Sequence, residues 1–200
     1  SWYQRGSAAD VTHPPVGGPS GPGGLAGRPP ILPAGPATHD ASVPPAGAGN
    51  GVLVLHAWWG LNGTMKDVCT QLAGSGFTAF APDLYHGKLA DSVAEAEILG
   101  QALDANHLQA RAEIAQAAGF LNDRVGRAGR GLAVIGFSLG AYYALDLAAA
   151  DPEHIRAVVL FYGTGGGDFS SSRAAYLGHF AEQDPFEPQS NVDALKHSLR

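Results

Sequence analysis

From residue 51 onward, short apolar runs alternate with longer segments in which apolar residues recur every three or four positions. The runs "VLVLH", "FTAFAP", "LAVIGF", "AVVLFYG" and "YLGHFAE" are rich in β-branched and aromatic residues and have the length of buried strands. Between them, "NGTMKDVCTQLAGSG", the Ala-rich "VAEAEILGQALDANHLQARAEIAQAAGFLNDRV" and "LGAYYALDLAAADP" carry helical spacing, the last closed by Pro152. A final helix is predicted in "NVDALKHSLR". Strand, helix, strand repetition predicts an α/β fold, a mostly parallel sheet with helices on both faces. In such sheets chemistry gathers at the carboxyl edge of the strands. No internal repeat is visible.

Composition changes this picture only at the start of the chain. Residues 1–50 hold ten of the 14 prolines and ten of the 28 glycines. A stretch such as "PPVGGPSGPGGLAGRPP" has too few apolar residues to offset the entropy of ordering, so 1–50 is expected to be a flexible segment and 51–200 the folded domain. Hydrophobic residues make up 45% of the chain and charged ones 15%, the balance of a globular protein. A net charge of −6 without a basic stripe argues against a nucleic-acid partner. No apolar run is long enough for a membrane helix, and the first residues lack a signal-peptide pattern, so a cytoplasmic location is expected. The lone Cys69 cannot form an internal disulfide and sits in an apolar helical pattern, as a buried thiol would.

The candidate chemistry lies in "VIGFSLGA". A strand ending near Ile135, a serine between two glycines, and a helix from Leu139 form a nucleophile elbow around Ser138. Gly136 and Gly140 fit because strand and helix approach so closely there that a Cβ would collide with neighbouring backbone. The turn sets the serine at a helix N-terminus, where unpaired N–H groups favour developing negative charge. The plainer alternative is a serine that only caps the helix. A nucleophile also needs an oxyanion hole. The N–H of Leu139 supplies one donor, and the loop after "VLVLH" offers Trp58 as the second. Trp58 and Trp59 can equally be packing residues, and their rings can wall a pocket. His56, Tyr85 and His86 stand at strand ends on the same edge and are candidates to line it.

Taken in order, "VLVLHAWWGLN", "APDLYHG", "GFSLGAYYAL", "AVVLFYG" and "HFAEQDPFEP" resemble the dienelactone hydrolase family of α/β-hydrolases, over about residues 51 to 200. The resemblance implies an α/β-hydrolase fold and hydrolysis of a small ester or lactone; no ligand cluster has metal spacing, so no metal or organic cofactor is expected. It also implies a nucleophile at Ser138 and a triad acid at Asp184, a position otherwise readable as an ordinary turn residue before Pro185. Two departures matter. Family members with a cysteine nucleophile carry a glutamate where Ala57 stands, and a serine has no matching use for it. The arginine expected after "APDLY" is replaced in "HGK", which counts against dienelactone itself as substrate.

The base is the missing part. In these enzymes a histidine follows the acid, and after Asp184 the only histidine is His197, in the predicted last helix. His179 falls inside a predicted strand, His13 and His39 in the Gly/Pro-rich segment, and His107 and His154 at surface positions. The resemblance implies that the last strand, the His-bearing loop and the final helix would follow Arg200, so that the hydrolase fold is C-terminally incomplete and this chain alone has little activity. The rival expectation is a noncatalytic α/β-hydrolase-like protein that binds a ligand and leaves Ser138 idle. A dinucleotide site is set aside, because "GTGGGD" misses the last glycine of G-x-G-x-x-G.

Overall fold

The computed structural model describes residues 39–42, 49–125 and 131–200. Its elements are β1 (His39–Ser42), β2 (Gly51–Leu55), α1 (Gly63–Gly74), β3 (Thr78–Pro82), α2 (Val93–Ala105), α3 (His107–Val125), β4 (Leu132–Phe137), α4 (Leu139–Ala150), β5 (Ile155–Phe161), β6 (Ala175–His179) and α5 (Gln189–Ser198). All five expected strands are present. They form one sheet in the order β1-β3-β2-β4-β5-β6, parallel throughout except for β1, which runs antiparallel to β3.

β1 falls inside the stretch read as flexible. Its four residues "HDAS" contain neither glycine nor proline, and they pair from His39 opposite Pro82 to Ser42 opposite Ala79. For residues 1–38 and 43–48 the expectation of flexibility lies outside the described residues.

Alternate residues of β2, β3 and β4 feed two cores, as the period of two requires. Leu53, Leu55, Leu132, Val134, Val158 and Leu160 pack with α3 and α4. Val52, Val54, Ala79 and Ala81 pack on Met65 and Cys69 of α1. Cys69 is fully buried, and burial pushes its thiol up to about 12, so it is an inert core residue.

The long Ala-rich pattern is two helices, not one. Asn106 breaks it: its side-chain amide donates to the Ala102 carbonyl at 2.8 Å, and its own carbonyl accepts from Gln109 and Ala110 N–H, opening α3. Asn62 and Ser92 cap α1 and α2 through their side-chain oxygens. No described helix is long and apolar enough to cross a membrane.

Candidate active site

Among the described residues, three non-glycine residues have positive φ: His86 (53°), Ser138 (50°) and Tyr162 (41°). They follow β3, β4 and β5 within four residues of each strand's carboxyl end. Strained backbone of this kind is retained where the surrounding structure holds it, and it clusters at functional sites. Here it falls on the carboxyl edge of the sheet, where the sequence leads chemistry to be expected.

At the elbow, Ser138 has φ 50° and ψ −113° between the end of β4 and the first turn of α4. Its backbone N–H donates to the Phe161 carbonyl at 2.9 Å, and its carbonyl accepts from Ala141 N–H at 2.8 Å. The hydroxyl makes no capping hydrogen bond. The two glycines are required as expected. A Cβ on Gly136 would lie 2.4 Å from the Gly140 oxygen, and one on Gly140 would lie 2.2 Å from the Leu55 oxygen. Gly163, after β5, is equally constrained, with its Cβ position 2.4 Å from the Ser138 oxygen. The start of α4 is therefore wedged between the ends of β2 and β5.

The close approach of Gly140 to Leu55 and His56 brings the loop after β2 beside the elbow. Among the described residues, neither the Trp58 N–H nor the Leu139 N–H has a hydrogen-bond acceptor. Trp58 is half-buried, edge-to-face with Trp59 (centroids 5.5 Å apart) and with Phe186 (6.1 Å), which follows Asp184 by two residues. The structure thus gathers the Trp58 loop and the Asp184 loop on one side.

His56 is fully buried and both its ring nitrogens are engaged. Nδ1 donates to the Ala57 carbonyl at 2.7 Å, and Nε2 accepts the Leu84 N–H at 3.1 Å. These partners define the neutral tautomer with the proton on Nδ1. Burial lowers the imidazole pKa, against smaller upward pulls from the Ala57 carbonyl and Asp83. Tyr85 packs edge-on against His56 (5.0 Å), and burial raises its phenol pKa. Both side chains are buried, and His56 bonds to the loops after β2 and β3. His86 is exposed, and its Nε2 stands 3.0 Å from the Glu113 carboxylate on α3.

Two carboxylates that the sequence reading passed over organise the edge. Asp83, buried, accepts Tyr85 N–H at 3.0 Å and Gly87 N–H at 2.6 Å, curling the loop after β3. Its signal was visible as an Asx turn in "DLYHG". Glu187, also buried, accepts Thr164 N–H (2.8 Å), Thr164 Oγ1–H (2.9 Å) and the Asn191 side-chain amide (2.9 Å). No local pattern announces Glu187, because its main partner is 23 residues away.

Asp184 is half-buried. Its Oδ1 accepts the N–H groups of Phe186 (2.8 Å) and Glu187 (3.2 Å), while Oδ2 has no hydrogen-bond partner among the described residues. No described histidine hydrogen-bonds to Ser138 or Asp184. His197 is exposed in the last turn of α5, and His179 stacks on Phe161 with centroids 4.7 Å apart. His107 and His154 are exposed, as expected.

A mostly parallel sheet with a strained serine between β4 and α4 is the architecture of an α/β-hydrolase. The family model described as "Dienelactone hydrolase family" matches residues 40–200. The chain belongs to that family. A metagenomic dienelactone hydrolase-like promiscuous phosphotriesterase superposes with a TM-score of 0.66 at 26% identity, covering 77% of this chain and 66% of that one. The solved structure of m3DLH gives a TM-score of 0.64 at 28% identity, with coverage of 76% and 65%. Protein usf of Aquifex pyrophilus is 36% identical over 123 residues, 60% of this chain and 53% of that protein. The chain thus spans about half the length of the curated relatives it matches.

Proposed function

We propose that the protein is a serine hydrolase that cleaves a small ester or lactone through an acyl-enzyme on Ser138. The observation that carries this reading is the combination at the elbow. Ser138 is held at a strained φ with its hydroxyl uncommitted, beside two backbone N–H groups, Trp58 and Leu139, that have no acceptor among the described residues. A serine serving as a helix cap would donate or accept within the first turn, and this one does not.

In this mechanism Ser138 Oγ attacks the substrate carbonyl, its proton passes to an imidazole, and the two N–H groups receive the oxyanion. Collapse of the tetrahedral intermediate expels the alcohol, protonated by the imidazolium. Water, activated by the same imidazole, then releases the acid. Asp184 holds the imidazole through Oδ2 while Oδ1 is spent on its own turn. The described histidines are engaged or exposed elsewhere, so the base is assigned to a segment outside the described residues. Trp58, Trp59 and Phe186 wall the substrate pocket, while His56 and Tyr85 support its loops from behind. His86 lies at its outer rim.

Two measurements test this. In a form of the protein that carries the base, a fluorophosphonate probe should label Ser138 and the Ser138→Ala variant should remain unlabelled. Equal labelling of that variant would place the nucleophile elsewhere. In the 200-residue chain, where no described histidine hydrogen-bonds to Ser138 or Asp184, turnover should lie about 10⁶ below that of an intact triad, the cost of removing a triad histidine. Added imidazole should then restore Ser138-dependent hydrolysis of a short aryl ester in a saturable way. A 200-residue chain that turns over at full rate without imidazole would show that one of its own histidines is the base.

A further inference from the structure

We infer that Glu187 is a positioning residue that fixes the acid Asp184 relative to the nucleophile Ser138; the inference rests on the serine-hydrolase reading above. Glu187 is 7% exposed, and a carboxylate is costly to bury unless its oxygens are satisfied. Three donors satisfy it: Thr164 N–H on Oε2, and Thr164 Oγ1–H and the Asn191 amide on Oε1. An apolar side chain would pack there without that cost, but it could not grip a backbone N–H. The carboxylate therefore serves to set position.

The positions it sets lead in both directions to the site. Thr164 directly follows Gly163, whose backbone lies so close to Ser138 that an added Cβ would be 2.4 Å from the Ser138 oxygen and 2.9 Å from its Cα. On the other side, the Glu187 N–H donates to Asp184 Oδ1, as does Phe186 N–H. Residues 184 to 187 thus form one turn, pinned through the Glu187 side chain to the segment that rests on the elbow. The same turn carries Phe186 against Trp58, whose N–H is the second oxyanion donor in the proposed mechanism. Pro185 and Pro188 restrict the backbone on either side, so little freedom remains for the acid to drift once Glu187 is held. Releasing that grip leaves every reacting group in the protein and moves one of them.

Glu187→Gln is the appropriate probe. It keeps the shape but offers one acceptor oxygen, so an amide NH₂ must face a donor of Thr164 or Asn191. In a form of the protein that carries the base, kcat on a short aryl ester should fall about tenfold or more with KM within about twofold, because misplacing a catalytic group costs rate more than binding. The acid limb of the kcat/KM profile should also move to lower pH, since an imidazole less well paired with its carboxylate binds its proton more weakly. A merely structural role would lower the melting temperature and leave that limb in place. Trp58 emission should shift to the red as Phe186 loosens. If Glu187→Gln fails to fold, Thr164→Val, which deletes only the Oγ1 donor, should show a smaller shift of the same limb. Asp184→Asn separates the two claims. Should it retain full activity, the serine-hydrolase reading of this site falls. Should it lose activity while Glu187→Gln, or Thr164→Val in its place, leaves kcat and the acid limb unchanged, the positioning role alone is overturned.

Discussion

His56 shows what a single buried titratable residue can contribute when both its ring nitrogens are spent on backbone partners. It ties the loop after β2 to the loop after β3, accepting from Leu84 N–H and donating to the Ala57 carbonyl, and both bonds require the neutral ring. Burial depresses its pKa below the ordinary value of 6.5. The sign follows from proton counts. Below about pH 6.5 the unfolded chain takes up a proton that the folded chain refuses, so stability falls as the pH drops from 6.5 toward the depressed value. The slope contributed by this one group is at most about 1.4 kcal/mol per pH unit. Chemical denaturation between pH 8 and 5 should show this loss, and His56→Gln, less stable at pH 8, should show a shallower decline over the same range. Equal slopes would mean that His56 is protonated in the folded state. Its place at the end of the run "VLVLH" put His56 at the carboxyl edge of the sheet. Its role was not legible, because the residue it clamps lies 28 positions away and a histidine's partners decide its function.

The elements best legible in the sequence are those written in local pattern, and the elbow is the clearest. Strand β4, the turn at Ser138 and helix α4 all follow from one stretch of about twenty residues, including the steric reason for both glycines. The break between α2 and α3 was not legible, because Asn106 in a long Ala-rich run differs from a tolerated helix residue only through bonds made by its side chain and carbonyl. β1 was missed for another reason: four residues beside a Gly/Pro-rich stretch become a strand only because β3 offers an open edge. The elbow's packing makes its own prediction. A methyl group at Gly140 would meet the Leu55 carbonyl at 2.2 Å, and backbone cannot yield as a side-chain tip can. Gly140→Ala should therefore force α4 away from β2 and cost about 1–3 kcal/mol, the usual range for overpacking. It should also displace the Leu139 N–H. Thermal melts check the first effect and fluorophosphonate labelling the second. A variant as stable as the parent would mean that α4 can shift freely, contrary to the wedge between β2 and β5.

For the molecule as a whole, the two faces of the sheet are not equally covered among the described residues. One face carries α3 and α4. On the other, α1 packs against β1, β2 and β3. Three aligned rows run from β4 across β5 to β6: Ala133, Ala157 and Ala175; Ile135, Val159 and Leu177; Phe137, Phe161 and His179; the β4 members pack against the α1-side core and those of β5 and β6 continue the rows outward. The rings of the last row stack, with centroids 4.9 and 4.7 Å apart. Exposure rises toward β6, where Leu177 is 54% accessible. A contiguous apolar patch of this kind invites association, and among the described residues β6 is the outer strand of the sheet on that side and adds an edge to it. The 200-residue chain should accordingly bind a hydrophobic dye such as ANS and self-associate with rising concentration. Leu177→Lys should reduce both, because a charge on the middle row interrupts the patch, and as a surface change it should alter stability by only about 0.5 kcal/mol. Ile98→Lys is the matched control. Ile98 is 65% exposed but stands on α2, away from those rows, so the same charge there should leave dye binding and association unchanged. Equal effects from the two variants would attribute the association to net charge and not to the open face. No effect from either would mean that the rows are covered in solution.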